Sequence, residues 1–292
     1  MISEKAYAKL NISLDVSSPR EDGYHDMLMV MQTVSFCDEV ILYPSDDGKI
    51  SARTGLYYIP GDDRNLAVKA ARLFLRTVGR EEQGYRIEIH KQIPVGAGMA
   101  GGSADAAAVL RALNREYGNP LPRNELLALS AQVGSDVPFC LLGGTALAQG
   151  RGEILTPLSP LPACRILIVK PSFSVSTPEL FHAIDSVKLK IRPDTQGIAE
   201  ALDAGDLSGV ARRMYNVFED VPDRRMRLIA EIKNRLLDAG ALGSIMTGTG
   251  SAVFALFRPD TDFSESFLAE LEKEYGFCVT AEPVGALLKD GF

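Results

Sequence analysis

The sequence contains no apolar run long enough for a membrane span, which takes about 20 residues, so no helical anchor is expected. It has no excess of basic charge either. Lys and Arg number 31 against 38 Asp and Glu, a formal net charge of −7. A surface devoted to nucleic acid or anionic lipid is therefore not expected, which leaves room only for a local basic site. Cysteine is scarce and scattered: Cys37, Cys140, Cys164 and Cys278 sit in apolar company without a Cys-x-x-Cys pair, the pattern of buried free thiols. The three histidines, His25, His90 and His182, are equally dispersed, so no transition-metal site is expected. The opening stretch MISEKAYAKLN lacks the basic start and apolar core of a signal peptide, and a cytoplasmic location is expected. No period of 20 to 50 residues repeats, which excludes a solenoid. The tripeptide Gly-Lys-Ser/Thr is missing, which excludes a P-loop.

Glycine, by contrast, is concentrated. Gly96, Gly98, Gly101 and Gly102 fall within seven positions of the stretch PVGAGMAGGSADAAAVLRALN, residues 94–114. Ala97 and Ala100 fill the gaps, so little side chain stands between this backbone and a ligand. From Ser103 onward the composition changes to strong helix formers, with Ser103 as the expected N-cap and Asp105 suited to the positive helix end. Upstream, Tyr85, Ile87 and Ile89 alternate with Arg86, Glu88 and His90, the pattern of a half-buried strand. Strand, glycine loop and helix start make a cradle for phosphate oxygens, because the first helical N–H groups are unpaired and the dipole adds about half a positive charge. A plain structural turn is the alternative. A dinucleotide fingerprint fits poorly, since Glu116 is too early and Glu125 opens a polar junction.

Elsewhere, residues 5–16 read as a strand with Ala6, Ala8, Leu10, Ile12 and Leu14 on one face and Tyr7, Lys9, Asn11, Ser13 and Asp15 on the other. Residues 17–24 read as a turn, 27–36 as an apolar segment, 38–42 as a further strand, and 50–58 as short strands. Helices are expected from Asn65 to about Thr77, over 122–133, from Pro178 to about Ile184, over 198–204 and 207–215, and from Met226 to Ala239. Asn65 is also a natural N-cap, and Asp136 could cap the turn before Pro138. Three prolines in TPLSPLPA mark a domain boundary, dividing the chain into 1–156 and 163–292. The second part begins with a strand at 165–169 and ends β-α-β, which suits a ferredoxin-like sandwich.

Three motifs in order, KLN, PVGAGMAGGSADAA and GTGSAVFALF, resemble those of the GHMP small-molecule kinases. With DGYH at 22–25, Asn65–Leu66 and GSDVPF at 134–139, the set is similar to the branch of that superfamily acting on 4-diphosphocytidyl-2-C-methyl-D-erythritol. The resemblance implies an α+β, two-domain GHMP kinase fold: an N-terminal domain of ribosomal-protein-S5-like type that binds ATP, and a ferredoxin-like C-terminal domain that binds substrate. It implies transfer of the ATP γ-phosphate to the 2-hydroxyl of that cytidine-diphosphate alditol, with Mg²⁺, in the non-mevalonate route to isoprenoids. By the same resemblance Lys9 and Asp136 are catalytic. The ATP side comprises Pro94, Val95, Gly96, Ala97, Gly98, Met99, Ala100, Gly101, Gly102, Ser103 and Ala104, with Asn65 and Lys91. The substrate side comprises Asn11, Tyr24, His25, Thr177 and Phe181. No metal-ligating residue is assigned, and the role of Asp105 is left open. A monomer or weak homodimer is expected, with no nucleic acid or membrane partner. The competing readings are a kinase for another small alcohol, such as mevalonate or homoserine, and a non-catalytic ATP-binding sensor.

Overall fold

The first strand carries both halves of the molecule. In the computed structural model, which describes residues 1–21, 23–189 and 191–288, β1 (Ile2–Pro19) runs antiparallel to β2 (His25–Ser45). The apolar segment expected over 27–36 and the further strand expected over 38–42 are one element, since β2 is a single strand of 21 residues. The register slips between Tyr7 and Lys9 and again between Asn11 and Ser13. Such bulges turn backbone groups away from the ladder. Here the Lys9 N–H is turned to the Met99 carbonyl of the glycine loop, at 3.2 Å.

The remaining elements of the large sheet are β3 (Ile50–Arg53), β4 (Gly84–His90), β5 (Thr145–Gln149) and β6 (Ile154–Pro157). Its order is β3-β4-β2-β1, with β5 also on β2 and β6 on β5. Against it pack α1 (Leu66–Thr77), α2 (Gly101–Glu116), α3 (Arg123–Val133) and α4 (Val137–Leu142). Alanines 104, 106, 107, 108 and 112 let α2 lie close to the sheet, and all are buried. Leu10, Ile12, Val40, Leu42, Phe74, Ile87 and Leu110 fill the core between the layers.

The second sheet contains β7 (Arg165–Val169), β9 (Gly243–Met246), β10 (Val253–Phe257) and β11 (Cys278–Ala281). Its order is β11-β7-β10-β9, antiparallel throughout. Read along the chain this is fourth, first, third, second, the ferredoxin-like arrangement expected. Between β7 and β9 come α5 (Thr177–Ile184), α6 (Thr195–Asp203), α7 (Leu207–Arg212), the two-residue β8 (Tyr215–Asn216) and α8 (Met226–Asp238); α9 (Glu265–Tyr275) precedes β11. Ile229, Ile232 and Leu236 form the buried stripe of α8, at the spacing of one helical face.

Strand and bridge pairing stitches the halves together in two places. The strand β8, expected as the end of a helix, instead joins the large sheet parallel to β1, and residues 283–286 bridge back to Val34 and Gly143. The polar face of β1 is consequently covered: Lys9, Asn11 and Ser13 are all buried.

Candidate active site

Helix α2 begins at Gly101, three residues earlier than an N-cap at Ser103 implies. Its N-cap is Ala100, in the left-handed region at φ 56°, ψ 33° and without a side-chain cap. The helix can start there because Gly96 and Gly98 also take positive φ and wind the loop back on itself. Ala97 and Met99 point inward as buried anchors, while Val95 and Gly102 are exposed. A Cβ at Gly102 would meet only Leu66 Cδ1 at 3.9 Å. At Gly101 it would press on Ile93 Cγ2 at 3.1 Å and Lys91 Nζ at 3.2 Å. The open face of the cradle is thus at Gly102, and Gly101 faces the protein beneath.

The loop is held by both halves. Besides the Lys9 bond, the Ala97 carbonyl accepts from Ala252 N at 3.2 Å, and the Gly98 carbonyl accepts from the Thr247 hydroxyl at 3.3 Å. Gly98 packs so tightly under the Thr247 carbonyl that a side chain has no room.

This loop floors a cavity of about 530 Å³. Pro94 to Ser103 line it, together with Lys9, Asn65, Lys91, Asp136, Thr177 and Phe181. The other expected residues stand outside it. Ala104 is buried in the helix core, 1% exposed. Asn11 lies behind Lys9, whose Nζ donates to Asn11 Oδ1 at 2.6 Å. His25 Nε2 lies 2.7 Å from Asp185 Oδ1, and its ring packs 5.1 Å from that of Phe181. Tyr24 is half exposed, with the Arg151 guanidinium 3.7 Å over its ring.

The two capping alternatives resolve in opposite ways. Asn65 does cap α1, accepting from Ala67 N at 2.9 Å, and its amide donates to the Pro60 carbonyl. Asp136 occupies the N-cap position of α4, but its carboxylate makes no cap bond. Among the described residues it has no hydrogen-bond or ion-pair partner, and Lys9 forms no ion pair with it. It is left half-buried on the cavity wall, near Gly152. Lys91 is fully engaged, bonded to Asp38 at 2.5 Å and Asp105 at 2.8 Å. Burial opposes its charge, but the two carboxylates outweigh burial and raise its pKa.

Several lining residues were not among the expected site residues. Arg151 comes from the β5–β6 turn, Phe218 follows β8, Thr249 belongs to the turn after β9, and Ile59 precedes α1. Phe218 packs edge-on to Phe181 at 4.9 Å, and the Thr249 and Thr177 hydroxyls bond at 2.9 Å. Lys170 donates to the carbonyls of Pro171 and Phe173, and further along this stretch Val175 and Thr177 line the cavity. Among the described residues no cluster of three or more His, Cys, Asp or Glu is set to hold a metal ion. All four cysteines are unpaired.

The GHMP kinases N terminal domain matches residues 65–144, and the GHMP kinases C terminal domain matches 198–275. The 4-diphosphocytidyl-2-C-methyl-D-erythritol kinase of Clostridium kluyveri is 45% identical over 253 residues, spanning 87% of this chain and 90% of the relative. That of Lachnoclostridium phytofermentans is 42% identical over 276 residues, 94% of each. The chain belongs to the 4-diphosphocytidyl-2-C-methyl-D-erythritol kinase family of the GHMP kinases. A crystal structure of 4-(cytidine 5'-diphospho)-2C-methyl-D-erythritol kinase superposes with TM-score 0.80 at 33% identity, over 97% of this chain and 99% of that one. Homoserine kinase from Cytophaga hutchinsonii superposes at 0.72 with 23% identity, over 97% and 95%, a likeness of fold. As a GHMP kinase the chain is a phosphotransferase with an alcohol acceptor. Such an enzyme has to seat a phosphate donor and a hydroxyl side by side.

Proposed function

We propose that this kinase transfers the γ-phosphate of ATP to the 2-hydroxyl of 4-diphosphocytidyl-2-C-methyl-D-erythritol, residues 1–156 serving the nucleotide and 163–292 the acceptor. The observation that carries this is the single cavity onto which the glycine loop, Lys9, Asp136 and Phe181 all open. The relatives named for this reaction match nearly the whole chain. The polyphosphate lies along the loop, where Gly102 leaves room and the start of α2 supplies N–H groups and positive dipole. Asp136 takes the acceptor proton, since its carboxylate is unengaged and half-exposed to the cavity. Lys9, oriented by Asn11, stabilises negative charge on the group in flight.

Residues around the loop fit magnesium as an ion carried in by the nucleotide: the wall offers amides for phosphate oxygens and, among the described residues, no group of three carboxylates to hold the ion by itself. Loop amides would hold the phosphates that hold the ion, and its chemistry is neutralisation of phosphate charge. Selectivity falls to the acceptor wall, where Phe181 and Phe218 offer flat surface and His25 a polar edge. That flat surface favours a base-bearing acceptor over mevalonate or homoserine, and the retained Lys9 and Asp136 disfavour a sensor. A coupled assay of ADP release, run with the cytidylated alditol, mevalonate and homoserine in parallel, tests the reading. Turnover confined to the first supports it; turnover of another alcohol, or of none, overturns it.

A further inference from the structure

Lys91 serves two carboxylates at once, and one of them is incompletely satisfied. Both Asp38 oxygens have partners: Oδ2 has Lys91, and Oδ1 has the N–H groups of Gln92 at 2.5 Å and Ile93 at 2.8 Å. Asp105 has Lys91 on Oδ2, but its Oδ1 is buried and has no partner among the described residues. The Asp105 side chain is only 6% exposed, yet the residue lines the cavity beside Gly101, Gly102 and Ser103. A buried carboxylate oxygen without a donor is costly, and one ammonium cannot balance two carboxylates. A proton on Oδ1 removes both difficulties and creates a donor in need of an acceptor. Of what the cavity is read to bind, the polyphosphate is the acceptor-rich part.

We infer that Asp105 is the carboxylic acid of the cradle, donating a hydrogen bond from Oδ1–H to a phosphate oxygen of the bound nucleotide, so that nucleotide binding draws one proton from solvent onto this side chain. The inference rests on the ATP reading above. No other bond forms or breaks: a carboxylate takes a proton, and the acid so formed hydrogen-bonds an anion. With the proton in place the Lys91, Asp38 and Asp105 group is neutral. Without it the group carries a net negative charge facing the phosphates. Burial pushes the Asp105 carboxyl up to about 7, the Asp38 charge adds to this, and Lys91 opposes it. The charged groups facing Asp105 are Lys91 from the end of β4 and Asp38 from β2. From α4 comes the Cys140 thiol, pushed up to about 12 by burial and therefore neutral. Lys9 and Asp136 line the same cavity.

The test is calorimetric titration of ATP with excess magnesium at pH 8, in two buffers of different ionisation enthalpy, without acceptor. The parent should take up roughly half a proton or more per nucleotide, and its affinity should fall by about tenfold per pH unit from 7.5 to 9 until the bound form itself ionises. Asp105→Asn carries an N–H donor in place of the O–H. It should bind ATP at pH 8 without proton uptake and with affinity level across that range. Asp105→Ala, with no donor, should bind weakly at every pH. Equal proton numbers in the parent and in Asp105→Asn would overturn the inference while leaving the ATP reading intact. No detectable ATP binding by the folded parent would overturn both.

Discussion

Lys9 gives its ammonium to Asn11, 2.6 Å away, rather than to Asp136. Asn11 is itself fixed from the second half of the chain: its N–H donates to Thr247 Oγ1 at 3.0 Å, and its amide contacts Met29 Sδ. Asn11→Leu should therefore leave a Lys9 that is present but unaimed. Turnover should drop by roughly 10- to 100-fold, with ATP affinity changed little, because the lost interaction is made in the transition state. Steady-state kinetics alongside calorimetry separate the two quantities. A variant of parental turnover would remove Asn11 from the positioning of Lys9.

Asp136 is the second case. Its carboxylate spends nothing on capping α4. Asp136→Asn should lower turnover at least about a hundredfold, the low end for loss of a general base, with nucleotide affinity nearly intact. Melting temperature should barely move, since no protein partner is lost.

The glycine loop separates two effects that glycine substitution usually mixes. Gly102→Ala meets open space, so the protein should fold as the parent does and bind ATP less tightly. Gly98→Ala meets the Thr247 carbonyl at φ +76° and should destabilise the fold by about 1–3 kcal/mol or more. Gly101 belongs with Gly98, because its missing side chain leaves space for Ile93 and Lys91. Thermal melts and nucleotide titration of the three variants check this ordering.

Phe181 sits half-buried between His25 and Phe218. If it carries the cytosine, Phe181→Ala should raise the acceptor Michaelis constant by roughly 5- to 150-fold, on the scale of about 1–3 kcal/mol for base–aromatic stacking. The ATP constant should hold. The stability cost should fall short of the roughly 3–5 kcal/mol of a core phenylalanine. A variant that melts far lower but keeps its acceptor constant would place Phe181 in the core.

Stability should also depend on pH through Asp105. Its folded pKa lies above the unfolded value, so between about pH 4 and pH 7 the native chain holds a proton that the unfolded chain has released. The contribution is complete at the acid end of that window and is lost as the pH rises through it. Denaturant melts should show Asp105→Asn gaining on the parent from pH 5 to pH 7.

Much of this fold was legible because local patterns agreed with the tertiary outcome. The strand over 165–169 has the bounds its apolar run implied, and Met226–Asp238 is the helix its buried stripe demanded. What escaped notice was decided by distant partners. The strand β2 continues through Ser35 and Asp38 because Asp38 is paid for by Lys91, 53 residues away. The helix α4 is six residues long, too short to show a period. Within the site, the loop, Lys9 and Asp136 stood out by their motifs, and Phe181 entered only through the family resemblance. Arg151 and Phe218 did not stand out, because only the packing of turns from separate elements brings them to the cavity wall.

The hydrogen bonds from the Thr247 hydroxyl and the Ala252 N–H to the glycine loop bear on how such kinases can be recombined. The two parts of the chain are separate modules in sequence, but the turn at 247–252 is a keystone cut to the shape of one particular loop. A hybrid joining residues 1–156 to the second half of a relative with a different acceptor would import a foreign keystone. It should misfit the nucleotide before it ever meets the new alcohol. Carrying the native turn across with the native loop should restore the fit, so the inheritable unit of phosphate handling is discontinuous along the gene.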